Sequence, residues 1–486
     1  MRPVRLFLQI GLAAAAGLFV FTLFHGATGS WPAALASALL AAVVARAGAL
    51  RIPVDDAAAS RPLKILSMAA ALLAVVVVGR LAVFMVAPDK VGWSSLPDSP
   101  WEVRHSCLTA YFVAAEAGAR GDNMYDSALY TAPDDDPTRI RKARVIGPFN
   151  VDVYEYPPPF LILPRALSLV APDFFRLRTL WFGLTGLVVL LAMIVAARDL
   201  GPAAGTRALL LAPLVWASLP TLSALQKGNA QLPVIAAAML AMACFERRRD
   251  AVGGALLAYV TVSKLFPGML LVYLLARRQW RALGWTAALG VVYLLLTLAD
   301  LGAAPFTAFL GHLPGLVGGE AFPAFRNPAA MAINFSVPGL VFKLKLFGVA
   351  GMGFGAAKVV GWIWTVIAVA ATVAVARRTV AEADQPLVWM AILILATLRS
   401  PFLPQAYAAF PPLWLLTLLA ARRPFDVKTM GWVLAAWLSL NLMWPMDWPI
   451  DPRGLALMNL LPQAVTVALA VIALRLAGRP STAARG

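Results

Sequence analysis

Charge is what this chain has least of: 13% of its 486 residues are Asp, Glu, Lys or Arg, against 61% hydrophobic. Its mean hydropathy is +0.77, too apolar for the polar surface of a water-soluble fold to cover, so a soluble protein is excluded. Cysteine is equally scarce. Cys107, in a long loop, and Cys244, in an apolar segment, are the only two, which removes a disulfide framework and a cysteine-based zinc motif, and no metal site is expected. No Gly-rich nucleotide loop, internal repeat or low-complexity tail is seen.

What the chain has instead is a series of apolar segments of about 18 to 24 residues, each able to cross a hydrocarbon core of about 30 Å as a helix. The expected fold class is all-α: a polytopic integral membrane protein, a single transmembrane domain over 1–486, with about 12 transmembrane helices plus re-entrant and interfacial helices. The net charge of +17 falls largely in short loops between spans, where it sets orientation. The partner it implies is therefore the lipid bilayer, and no nucleic acid is expected. The opening "MRPVRLFLQIGLAAAAGLFVFTLF" is read as an uncleaved first span, since a second follows at once. With Arg2 and Arg5 placed inside, both termini are cytoplasmic at a plasma (inner) membrane. Two extracytoplasmic loops result, 88–177 and 301–352.

Residues 252–276 lie between two basic signals, "ERRRD" and "RRQWR". One crossing would put one of these outside, whereas two half-helices turning at "SKLFP" keep both inside, with Pro267 and Gly268 supplying the break; the alternative is a single span that violates the charge rule locally. Lys264 then sits deep in the protein, where its ammonium must be met by protein or by a water-filled cavity.

Other cations also break the orientation pattern. Arg80, Lys227, Lys358 and Arg399 fall at or near the outer ends of spans. Together with Lys264 they are expected to converge on an outward-opening cavity that holds an anionic group, most simply a phosphate. The alternative is that each snorkels to the interface separately. The first outer loop contributes Glu102, His105, Asp122, Asp126, Asp152 and Glu155 beside that cavity. Of these, Glu102, His105 and Glu155 stand out because aromatic residues and prolines pin them. Within the loop, "CLTAYFVAAEAGAR" has an amphipathic helical pattern suited to the membrane surface, and "PDDDPTR" reads as a solvated turn. In "QKGNAQLP", Asn229 and Gln231 are either sugar or phosphate hydrogen-bond partners or helix caps. The second outer loop carries His312, a candidate donor to an anion, and Asn334.

The segments "LTAYFVAAEAGARGDNMYD", "YEYPPPFLILPRAL", "GNAQLPVIAAAML", "GGALLAYVTVSKLFPGMLLVYLLARRQWRAL", "NFSVPG" and "SPFLPQAYAAFPPLWLL" resemble, in order and spacing, those of glycosyltransferase family 87. These are multi-span type C enzymes related to polyprenol-phosphate-mannose-dependent mannosyltransferases. The resemblance covers roughly residues 64–425. It implies transfer of a hexose such as mannose from a polyprenyl-phosphate sugar to a lipid-linked or glycan acceptor on the extracytoplasmic face. The reaction would be an inverting displacement with a carboxylate base and no cofactor. On that reading Lys264, Arg80, Lys227, Lys358, Arg399 and His312 meet the donor phosphate. Tyr111, Glu155, Tyr156, Asn229, Gln231, Asn334, Gln405 and Tyr407 contact the substrates.

There are departures. Where the family usually has an Asp shortly before the aromatic pair of the first loop, this chain has Cys107; Glu102 and His105, one or two helical turns earlier, are the candidate catalytic replacements. Gln405 and Tyr407 stand where a histidine often follows the "SP" pair, and "GNAQ" reverses the usual order of amides. A transporter or flippase of polyprenyl-linked sugars and a catalytically silent lipid-binding relative remain open alternatives.

Overall fold

The structure is a computed structural model that describes residues 3–132 and 142–477; the turn from Asp134 to Arg139 lies outside them. The all-α reading holds. Among the described residues the one sheet has three strands of two or three residues each. Seven helices are long and apolar enough to cross a membrane: Pro3–Thr28, Trp31–Ala49, Arg61–Val86, Phe174–Asp199, Trp280–Leu301, Phe354–Ala376 and Pro452–Leu476. Shorter apolar helices complete the bundle, and two of them, Gln385–Thr397 and Phe410–Ala421, are buried at every position. Trp31–Ala49 is the opposite case. It exposes Leu35, Leu39, Leu40 and Val43 on the outside of the bundle, as a helix bathed in acyl chains can.

Pro202–Trp216 and Leu219–Lys227 form a helix pair bent by 65°. Pro220 lacks the N–H that a continuous helix would need, so the second piece starts afresh behind Ser218. It ends on Gly228 in the left-handed conformation, φ +66°, a glycine cap, and a new helix begins at Gln231. The "QKGNAQ" segment is thus a corner between two helices, which fixes where Lys227, Asn229 and Gln231 point.

The segment around Lys264 is a re-entrant hairpin. Asp250–Ser263 runs in, the chain breaks at Lys264, and Met269–Ala276 runs back. The direction is read from neighbours of the next helix, Trp280–Leu301. Arg281 pairs with Asp250 at 3.2 Å, a Cβ on Gly254 would touch Trp285 and Thr286, and the rings of Tyr259 and Tyr293 lie 5.6 Å apart. Residue numbers rise together along both helices, so the two are parallel. The chain between them must have returned to its starting side, which puts both basic clusters on one face. Replacing Gly254 with Val is expected to wedge this contact apart, because a Cβ there would lie 2.7 Å from the Trp285 Cβ and 2.8 Å from its carbonyl carbon. The cost should be about 1–3 kcal/mol, visible as a lowered melting temperature in detergent; an unchanged value would contradict the parallel packing.

The first loop folds into a cap over one end of the bundle. Cys107–Arg120 is a helix, but ten of its residues are buried, so it does not lie half exposed as its amphipathic pattern suggests. The cause is the rest of the loop, which packs around it. A strand at His105–Ser106 pairs in parallel with Phe149–Val151, in register His105 to Asn150 and Ser106 to Val151, and Ile162–Ser168 packs on the far side.

Candidate functional site

Under this cap lies a cavity of about 860 Å³, walled by the loop, the 227–231 corner, the hairpin tip, the Ala304–Gly318 helix and the 399–407 segment. Its size is that of a site for a substantial ligand. The hairpin break aims Lys264 into it, with the ammonium 5.2 Å from the Tyr156 ring centroid. On another wall Arg399 donates to Thr365 Oγ1 at 2.9 Å and lies over Trp362. Neither has a carboxylate partner among the described residues. Lys227 also faces the cavity but is neutralised: its ammonium donates to Glu102 Oε1 at 2.7 Å, both side chains being buried.

Two expected cations are elsewhere. Arg80 is spent on the Gly92 carbonyl at 2.7 Å, and Lys358 pairs with Glu320 at 2.6 Å; neither lines the cavity. His312 lies tilted against Tyr125 instead, with ring centroids 5.5 Å apart. Asn334 is a staple rather than a wall residue. It donates to Pro401 O and accepts from the backbone of Ser336 and Leu403, tying two loops together. Gln405 reaches the cavity, but Asn459 and the carbonyls of Leu440 and Leu442 already use its amide. Asp122 pairs with Arg120 on the surface and Asp126 caps a short turn.

Glu102 lines the cavity as expected, yet both its oxygens are taken, Oε1 by Lys227 and Oε2 by the Ser223 hydroxyl at 2.8 Å. It holds the cap to the bundle. Truncating Glu102 to Ala strands a buried ammonium and is expected to cost about 3–5 kcal/mol. The paired apolar change Glu102→Leu with Lys227→Met should recover most of the lost thermal stability; a double variant no more stable than the single would show that the ion pair is not what Glu102 supplies.

Asp152 is an acid of the cavity with no Lys or Arg partner among the described residues. Continuing the parallel register one step past Ser106 and Val151 sets Cys107 beside it, and Thr109 fixes the arrangement by accepting the Asp152 N–H at 2.9 Å while donating to Ser106 O. His105 Nε2 is 3.7 Å from an Asp152 oxygen and 3.1 Å from the Tyr407 hydroxyl, which lies 3.2 Å from Cys107 Sγ. Trp101 stacks on His105 with centroids 4.8 Å apart. Asn229 donates to Cys107 Sγ at 3.3 Å, Gln231 donates to Thr397, and Tyr111 donates to Tyr156 at 3.0 Å. Enclosure tunes these loop groups. Burial, with Lys227 nearby, lowers His105 to about 3, so its ring is neutral. Burial and then Asp152 raise Cys107 to about 12, a thiol rather than a thiolate. Burial raises Asp152 to about 6, and burial followed by Asp152 pushes Glu155 well above the carboxylate range. Of these two carboxyls, Asp152 is thus the better proton acceptor near neutrality.

No local pattern in the chain signals this pairing, since Asp152 is distant from Cys107 in sequence and meets it only through a two-residue strand. Beyond this corner the chain matches a known family: the model of glycosyltransferase family 87 covers residues 154–401, just over half of the chain. The chain belongs to glycosyltransferase family 87. No curated protein matches it. In this family 87 glycosyltransferase the matched region carries Lys264, Arg399 and the 227–231 corner, whereas His105, Cys107 and Asp152 all precede it.

Proposed function

We propose that this membrane glycosyltransferase moves a hexose, such as mannose, from a polyprenyl-phosphate donor to a hydroxyl of a lipid-linked or glycan acceptor at the extracytoplasmic face of the plasma membrane, both termini being cytoplasmic. One observation carries the reading. Among the described residues, a single cavity presents two cations without acidic partners, Lys264 and Arg399, and a carboxylate without a Lys or Arg partner, Asp152. A phosphate suits the first, and an acceptor hydroxyl about to lose its proton suits the second. The apolar wall formed by Phe309, Leu313, Leu316 and Val317 suits an isoprenoid tail.

In this reading the acceptor oxygen attacks the anomeric carbon from the face opposite the phosphate, and Asp152 takes its proton. The bond from carbon to phosphate oxygen breaks with its electron pair going to that oxygen, where the Lys264 ammonium balances the growing charge. The sugar's configuration inverts. Glu155 and the amides of Asn229 and Gln231 face the space left for the sugar. No cofactor is required, because the lipid phosphate is itself the leaving group.

The test is incubation of the purified chain in liposomes with labelled polyprenyl-phosphate sugar and an acceptor. Transfer to the acceptor is expected. Movement of intact donor across the bilayer without transfer would make the protein a flippase, and binding alone would make it a silent relative.

A further inference from the structure

Cysteine spacing alone offers no metal motif, yet the fold assembles three metal-ligating side chains at one corner of the cavity. His105 Nε2, Cys107 Sγ and an Asp152 carboxylate oxygen all lie within 4.8 Å of one another. We propose that these three atoms form a binding site for a thiophilic divalent cation of the zinc class, and that its occupancy competes with proton transfer to Asp152.

The distances suit such an ion. Tetrahedral coordination with zinc–nitrogen and zinc–sulfur bonds of the usual lengths places ligand atoms about 3.3–3.6 Å apart; here Nε2 is 3.7 Å from Sγ and 3.7 Å from the Asp152 oxygen. Small movements close the remaining gap. The Tyr407 hydroxyl, 3.1 Å from Nε2 and 3.2 Å from Sγ, now bridges the two atoms that an ion would bridge in its place. The charges also match. On binding, the Cys107 thiol releases its proton to water, and thiolate plus carboxylate balance a dication, while Lys227, a cation that acts on all three ligands, is already neutralised by Glu102. Asn229, donating to Sγ at 3.3 Å, and Trp101, stacked on the imidazole, hold the ligands from outside, as groups around metal sites do. Three protein ligands leave a fourth position toward the cavity, and a set of one thiolate, one imidazole and one carboxylate selects zinc or cobalt over magnesium or calcium.

Competition is a consequence of the shared oxygen. A carboxylate oxygen bound to the ion no longer takes the acceptor's proton. This second half rests on Asp152 being the proton acceptor of the proposed transfer; binding itself does not.

Cobalt(II) is the probe. The full chain, purified in detergent and stripped with chelator, should bind one cobalt per chain and show the near-ultraviolet band of a thiolate–cobalt bond. Cys107→Ser should lose the band, Cys244→Ser should keep it, and Asp152→Asn should bind about tenfold or more weakly. No band in the unaltered chain, a band that survives Cys107→Ser, or one that depends on Cys244 would overturn the site. In the transfer assay zinc should inhibit the unaltered protein, chelator should reverse this, and the ratio of rates with and without zinc should approach one in Cys107→Ser. Stimulation by zinc, or indifference to it while cobalt still binds, would overturn the competition. If the unaltered protein transfers no sugar at all, the proposed function fails and the cobalt result still decides the site.

Discussion

Asp152→Asn is expected to lower the rate of sugar transfer by about a hundred- to ten-thousand-fold, the range over which a positioned general base acts, while the protein still folds and binds donor. The asparagine keeps the shape and the backbone tie to Thr109 Oγ1, so the loss reports the missing carboxylate rather than a misfolded loop. Glu102 offers a carboxylate in the same cavity, but one oxygen is already held by the Lys227 ammonium and the other by the Ser223 hydroxyl, so it is the less available proton acceptor. The informative companion is a rescue. Because the Cys107 Sγ lies within 4.8 Å of an Asp152 oxygen, adding Cys107→Asp to Asp152→Asn returns a carboxylate to the same corner and should recover part of the activity. Full activity in Asp152→Asn would remove Asp152 from the reaction, and no rescue in a well-folded double variant would show that a carboxylate at 107 cannot stand in for it.

The second large effect is expected at Lys264. Exchanging its ammonium for the similar-length, uncharged Met removes a charge-assisted contact to the donor phosphate worth about 1.5–3 kcal/mol. Donor KM should therefore rise about ten- to a hundred-fold. Turnover should fall as well, since the phosphate gains charge as it leaves and the lysine counts for more in the transition state than in the bound donor. Lys264→Arg should retain part of both, being charged but differently shaped. A Lys264→Met protein with the normal donor KM would place the phosphate elsewhere, with Arg399 the remaining cation lacking an acidic partner among the described residues.

Features set by short-range physics are legible in the chain. The long apolar helices are local facts of composition, and the hairpin is partly so: two basic clusters flanking "SKLFP" favour a return to one side over a single crossing that breaks the charge rule, and the parallel packing marked by the Arg281–Asp250 contact agrees with the return. Lys264 and Arg399 face one cavity because a charge in an apolar span is expensive unless something polar receives it. Arg80, Lys358 and His312 depart from that expectation: the Gly92 carbonyl serves Arg80, Glu320 serves Lys358, and His312 lies against the Tyr125 ring. Nothing local separates those outcomes. Glu102 shows the converse: a carboxylate in the expected place is already paired with Lys227, which lies on another helix. The Cys107–Asp152 neighbourhood depends on strand register between segments far apart in sequence, a long-range fact with no periodic signature.

The most direct measurement is a density map of the full chain with a polyprenyl-phosphate sugar bound. The phosphate is expected within hydrogen-bonding reach of Lys264 Nζ, the isoprenoid along Phe309 and Leu313, and the anomeric carbon turned toward Asp152. A headgroup lodged outside the cavity, or one bound inside it with its phosphate away from Lys264 and its sugar away from Asp152, would contradict the assigned chemistry.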